Sequence, residues 1–354
     1  MSYSLSVLTP RERNVLRKGD LKTIDTLFDH KNVNYMDKKG KNSLHIICSQ
    51  PHIRLDIIKL LISKGAQYNT FTNIGFTPLH LCCSNHRPSK EIIEYFLQLG
   101  ADINQPTYAG KTPLHFLSVK PKAFRSIILY ALSKGSNVNT KDINGESPLF
   151  LLLKQERPSI DLVNLLIKHG ADLHVKDVYN NSLLNLVCQK FEPKQSIVQL
   201  LIKNKIGLRH HSEFGLTPIH QLSLKQKVNQ SLIQALLGQG IDVNMKTQFG
   251  DTPLHLVTNR FNLHWKSVLF MIKKGANLNL SNQNGETPLF FIIQNLILDQ
   301  EKIQILLENG ADFFYRIKKK KLIDMVDNDT KEVIINQIGK IKIEDDILAN
   351  DKIN

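Results

Sequence analysis

The sequence predicts an all-α solenoid of stacked helix–turn–helix pairs with projecting β-turn fingers, and three observations lead there. A glycine or its substitute recurs every 35 residues, at Gly40, Gly75, Gly110, Gly145, Asn180, Gly215, Gly250 and Gly285. Each is followed by a variant of one phrase, as in Thr77-Pro78-Leu79-His80, Thr217-Pro218-Ile219-His220 and Thr252-Pro253-Leu254-His255. A second glycine series of the same period, Gly65, Gly100, Gly135, Gly170, Gly240, Gly275 and Gly310, frames the other end of the unit. Self-similarity at a fixed period is the signature of a repeat architecture.

The elements of one unit follow from side-chain chemistry. The first glycine permits the positive φ of a tight turn, and Asn180 is the next best substitute. Two residues on, Thr77 and its equivalents can cap a helix by accepting from a free backbone N–H. Pro78 then occupies the first helical position, where its missing donor costs nothing. Leu79 points inward, and the small Cys82 and Cys83 let the next helix approach closely. A turn marked by Pro88, Pro158 and Pro193 leads to a second helix whose apolar residues recur at helical spacing, as in Ile92, Ile93, Phe96 and Leu97. Gly100 and its kin end that helix as left-handed caps, and Ala101-Asp102-Ile103-Asn104 runs out into the finger. One helix pair cannot bury its own apolar face, so stacking is obligatory.

The pattern Gly-x-Thr-Pro-Leu-His, two helices, then Gly-Ala-Asp-x-x-Asn closely resembles the ankyrin repeat, from about Asp37 to Asp312. The ankyrin period is about 33 residues; each unit here is longer by two, and the excess is placed in the turn between its helices. The reading divides the chain into a divergent N-terminal capping repeat (1–39), eight repeats (40–314) and a degenerate C-terminal capping repeat and tail (315–354). The first cap rests on Ile24, Leu27, Val33 and Asn34. The last rests on a worn helix start at Leu322-Ile323-Asp324-Met325 and a closing helix over 332–341. Long divergent arrays of this kind resemble those of intracellular bacteria and large DNA viruses. No F-box-like segment is legible after Asp324.

With 354 residues and 42% hydrophobic content the chain can bury a substantial core. It opens without a secretory leader pattern, and its longest apolar run, Pro288 to Leu298, is too short to span a bilayer. A soluble, cytoplasmic protein is expected, in a host cell's cytoplasm if the source is an intracellular parasite or virus. Cys48 and Cys83 share a slot in neighbouring repeats, where packed helices lie roughly 8 to 10 Å apart, beyond the roughly 7 Å reach of a disulfide. Free thiols are expected. The formal net charge of +14 is spread along the sequence instead of gathered in one tract. That favours Lys, Ile and Asn enrichment from an AT-rich genome over a dedicated anion-binding face.

Candidate chemistry is sparse. His45, His80, His115, His220 and His255 each close the repeated phrase, one or more whole repeats apart, too far to share a metal near 2 Å. In the ankyrin family this histidine supports the turn by hydrogen bonding. Arg209-His210-His211 holds the one adjacent pair. There is no Gly-x-Ser-x-Gly elbow, phosphate-cradling loop or His-Glu-x-x-His helix, so no enzyme, cofactor or metal is expected. Arg316-Ile317-Lys318-Lys319-Lys320-Lys321 reads as a solvated turn before it reads as a nuclear address. The unit at Asn180, which lacks its glycine, proline and histidine and carries Lys205 in a glycine slot, reads as drift before it reads as a hinge.

Turns, caps and core absorb the repeated residues, so recognition falls to the positions that vary around the first glycine. The resemblance implies a concave groove formed by the turn tips and first helices, used by a monomer to hold protein partners. Tyr179, Phe214 and Phe249 stand just before the glycine slot in three successive units, with Leu216 just after Gly215 and with Tyr108 and Phe71 as weaker members. An exposed aromatic stripe of this kind reads either as a protein-binding hot spot or as rings that lie flat on the next turn and cover its backbone. The alternative from another class is electrostatic binding of nucleic acid or an anionic membrane.

Overall fold

The computed structural model describes residues 13–16, 21–29, 32–120, 124–190, 192–213, 215–225, 227–260, 263–295, 298–317 and 319–351, with backbone alone for 341–351. The chain divides into two units, Met1–Val178 and Tyr179–Asn354.

The first unit holds four helix pairs: Ser43–Cys48 with Leu55–Ser63, Pro78–Ser84 with Lys90–Gln98, Pro113–Ser118 with Arg125–Ser133, and Pro148–Lys154 with Ile160–Lys168. The helix Leu21–Asp29 precedes them, and its Ile24 and Phe28 are buried. Each first helix begins where the sequence places it. Thr77 has extended backbone, its side chain accepts from His80 N–H, and Pro78 opens the helix. Consecutive first helices pack on one another, through residues such as Leu79, Leu114 and Leu149 that are almost completely buried. The second helices contribute Ile58, Ile93 and Ile128 from their inward faces.

The second unit repeats the plan with Leu183–Gln189 and Gln195–Lys203, Pro218–Ser223 and Gln230–Leu237, Pro253–Thr258 and Trp265–Lys273, and Pro288–Asn295 and Gln300–Glu308. Asn180 and Lys205, which replace glycines, both take left-handed backbone, with φ of 57° and 53°. The irregular unit therefore keeps the repeat's turns without its glycines.

The lysine run folds into a two-stranded antiparallel hairpin, Arg316–Ile317 against Lys320–Lys321. Ile317 is buried beneath it while Lys319 and Lys320 face solvent. A 3-10 turn, Leu322–Met325, follows, and Leu322 and Ile323 enter the core. The closing helix is longer than the sequence suggests, running Asn328–Asp351. It starts early because the Asp327 carboxylate accepts from Thr330 N–H at 2.8 Å, a local cap.

One slot joins successive repeats in a way the sequence did not announce. The carbonyls at the end of a first helix are met by a donor from the following repeat: Asn85 Nδ2 on Gln50 O, Lys120 Nζ on Ser84 O, Lys225 Nζ on Gln189 O, and Asn295 Nδ2 on Thr258 O. Arg260 is at the same register and donates to both Lys225 O and Ser223 O. A cation here also meets the negative end of the helix dipole. Part of the net positive charge is thus spent on holding the array together.

Candidate partner-binding face

The repeated histidines are structural links. Thr77 N–H and Thr77 Oγ1 lie 3.1 and 2.8 Å from His80 Nδ1, while His80 Nε2 lies 2.8 Å from the carbonyl of Gln105 in the next repeat. A backbone amide only donates and a carbonyl only accepts, so Nδ1 is the bare acceptor and Nε2 carries the proton. Nε2 likewise ties His115 to Glu146 O, His220 to Met245 O and His255 to Glu286 O, and at the Asn42 cap it ties His45 to Phe76 O. Burial disfavours the imidazolium and lowers the pKa of His45, His80 and His220 to about 4. His210 and His211 do not converge: their rings reach Asn180 O and Gly215 O separately.

The other candidate groups are likewise committed. All four cysteines are buried thiols. The pair in contact is Cys82 with Cys48, one residue off the Cys48/Cys83 slot compared in the sequence. Burial raises the Cys188 pKa to about 12, far from a reactive thiolate. Asp142 is buried, with one carboxylate oxygen accepting from Asn144 and Glu146 N–H and the other 3.7 Å from Lys111 Nζ. Glu146 is paired with Lys154 at 2.6 Å. Among the described residues no three His, Cys, Asp or Glu side chains gather as a metal set, and no helix is long and apolar enough to cross a membrane.

The large hydrophobic side chains that remain outward lie mainly on the fingers. Among the described residues the exposed large hydrophobic ones are Met36, Phe71, Ile74, Tyr108, Ile143, Val178, Tyr179 and Phe249 on finger segments, against Leu224, Phe314 and Ile335 elsewhere. Five pairs of successive fingers among the described residues are joined edge to edge by backbone bonds. Asn73 N–H donates to Lys39 O, Ile143 N–H to Ala109 O and Val178 N–H to Asn144 O in the first unit; in the second, Glu213 N–H donates to Tyr179 O and Gln283 N–H to Phe249 O. The tips are therefore held in register while their side chains face solvent.

A family model for ankyrin repeats (3 copies) matches residues 14–107 and 219–316, together more than half of the chain. The chain belongs to the ankyrin-repeat family. Ankyrin repeats generally mediate protein–protein interaction and are typically non-enzymatic. No curated protein matches the sequence.

Within this ankyrin array the six residues singled out from sequence occupy different settings. Tyr179 and Phe249 are 61% and 56% exposed in one finger register. Phe214 lies outside the described residues. Leu216 is half-buried, and its carbonyl accepts from Asn185 Nδ2. Tyr108 is 69% exposed, and its ring stacks near-parallel to Phe71 with centroids 6.5 Å apart. It also lies over Gly75, so it covers a neighbouring turn and presents an open edge at once. By register Tyr108 belongs with Ile143 and Val178, not with Tyr179. These aliphatic residues and Ile74 escaped a sequence reading that looked for rings. The signal was present in the 35-residue register, where Tyr108, Ile143 and Val178 fall in one column.

Proposed function

We propose that this ankyrin array is a non-enzymatic scaffold or adaptor that holds partner proteins on its finger tips and the adjoining side of its first helices. The reading rests on one observation: the exposed large hydrophobic side chains concentrate on fingers that backbone bonds hold in register. Rigid, solvent-facing apolar groups cost little entropy to dock and are the usual anchors of an interface. The same reading has the chain act as a monomer in the cytoplasm, that of a host cell if its source is an intracellular parasite or virus. It assigns eight repeats to 40–314, between the caps 1–39 and 315–354.

The test replaces Tyr179, Phe214 and Phe249 by Ala in one variant, and Tyr108 and Ile143 by Ser in another, then measures capture of partners from the native cell. Folded variants with at least ten-fold weaker capture of the same partner support the scaffold. Unchanged capture by both moves the interface off the fingers. Capture that instead collapses as salt is raised, with no response to either variant, supports the alternative of an electrostatic binder of nucleic acid or anionic membrane.

A further inference from the structure

On the first unit, a pocket of about 310 Å3 opens where one finger meets the next repeat's first helix. Ile74, Phe76 and Leu81 form its apolar wall, Thr72 and Asn73 belong to the finger, and Lys39 and Lys41 stand at the rim. Phe76 is backed by Phe116 at 5.2 Å between ring centroids, so the wall is stiff and continues toward the next repeat. A second hollow of about 350 Å3 adjoins it and shares Lys39 and Lys41, with Arg13 and Lys38 beside them. Among the described residues Asp37 is the one carboxylate in that lining, and its Oδ1 already accepts from the N–H groups of Lys39 and Lys41. Among the described residues no carboxylate pairs with the ammonium groups of Lys38, Lys39 or Lys41. This differs from Lys111 and Lys154 on the same unit, which have Asp142 and Glu146.

An apolar cleft edged by cations that meet no carboxylate among the described residues is complementary to a particular kind of chain. We propose that this pocket takes a bulky apolar side chain from an acidic peptide segment, with the segment's carboxylates laid against Lys39, Lys41 and the neighbouring Lys38 and Arg13. The inference rests on the scaffold reading above and gives that reading a partner chemistry. The apolar wall supplies the anchor, while the lysines set direction and exclude basic segments. A folded nucleic acid would satisfy the cations and leave Ile74 and Leu81 uncovered, which is why a peptide is the better fit.

The experiment pans a random 12-residue peptide library on the full chain, then measures each recovered peptide by fluorescence anisotropy. Four proteins are compared: the native chain, the two pocket variants Lys39→Glu/Lys41→Glu and Ile74→Asp, and the finger variant Tyr108→Ser/Ile143→Ser. In the pocket variants Lys39 and Ile74 are exposed and Lys41 is half-buried, and circular dichroism confirms the fold of each variant. The expected result is recovery of peptides with Phe, Leu, Trp or Met flanked by Asp or Glu. Binding should weaken ten-fold or more in both pocket variants, and also when the peptide's apolar residue is replaced by Ser. Recovery of no peptide, or of peptides without acidic enrichment, overturns the proposal. So does binding that both pocket variants leave unchanged, or that survives loss of the apolar residue and so reflects charge alone. Peptides that ignore Lys39 and Lys41 but respond to Tyr108→Ser/Ile143→Ser overturn this pocket while leaving the scaffold reading in place.

Discussion

Asn185 Nδ2 donates to the carbonyl of Leu216 in the following repeat at 2.8 Å, the slot in which five other repeats use a histidine ring nitrogen. Its Oδ1 meanwhile accepts from the Ser182 hydroxyl at 2.5 Å, as the Nδ1 of His80, His115, His220 and His255 accepts from a threonine hydroxyl. The amide presents one donor and one acceptor on opposite sides, so it reproduces the imidazole's connection between a helix cap and the next repeat.

Asn185→Ala therefore leaves both Leu216 O and the Ser182 hydroxyl without their partner in a buried site. The expected loss is about 1 to 3 kcal/mol, whereas Asn185→His should recover part of it. Hydrogen exchange of amides in 183–189 and 218–223 separates this local effect from global unfolding. If the alanine variant exchanges like the native chain, the link carries no stability.

The histidines make the array acid-sensitive in a defined window. A histidine whose folded pKa lies near 4 against an unfolded value near 6.5 must shed its proton to fold. The unfolded state therefore binds more protons between those values, and stability rises with pH. The contribution of His45, His80 and His220 is fully present above about pH 6.5 and lost as pH falls toward about 4. At full protonation each costs on the order of 3 kcal/mol. Urea midpoints between pH 7 and pH 4 should fall steeply, and His80→Asn should flatten the slope by about one proton. A flat profile across this range is incompatible with neutral buried rings.

Much of this is legible in the amino-acid sequence, for a physical reason. Turns and caps demand particular residues, so Gly75, Thr77 and Pro78 announce a backbone conformation, and recurrence at 35 residues shows that the demand is repeated. Side chains that work by donor geometry announce much less. Asn185 looked like the loss of a histidine because the sequence shows residue type, not the spacing of donor and acceptor. Lys120, Lys225 and Arg260 looked like scattered charge because a cation on a helix end has no distinguishing pattern until the repeats are aligned. At the candidate face, Tyr179 and Phe249 were legible as aromatic residues beside a turn. Ile74, Ile143 and Val178 were not, since aliphatic residues are ordinarily assigned to a core. The pocket at Lys39 and Lys41 joins two repeats, and its shape is a property of their packing.

The cation slot gives its own test. Lys120→Met keeps the aliphatic stem but removes the donor to Ser84 O at 2.5 Å. Burial already lowers the pKa of Lys120 and Lys225, so both ammonium groups are partly withdrawn from solvent. An orphaned carbonyl at a helix end should cost about 1 to 2 kcal/mol, and added salt should restore little of it because the group is shielded. Lys120→Asn, matching Asn85 in its slot, tests whether charge or donor geometry is required. Thermal melts of the three proteins at low and high salt decide the matter. A methionine variant as stable as the native chain identifies Lys120 as a solvated charge.

The two glycine series should respond differently to the same substitution. Gly75 and Gly135 both have positive φ, 78° and 83°, so alanine at either meets the left-handed penalty of roughly 1 to 2 kcal/mol. Their surroundings differ. A Cβ on Gly135 meets nothing within 4 Å, whereas one on Gly75 strikes the Tyr108 backbone nitrogen and the root of its ring. Gly135→Ala is expected to cost the backbone term alone. Gly75→Ala must also push Tyr108 away, displacing the Phe71 stack and the finger tip it belongs to, and should cost at least about 1 kcal/mol more. Urea denaturation of both variants measures the difference, and near-ultraviolet circular dichroism reports the ring's movement. Equal losses, with an unchanged aromatic signal, would show that the fingers are loose enough to accommodate the methyl group. A loose finger would also weaken the case for a rigid apolar tip as the anchor of an interface.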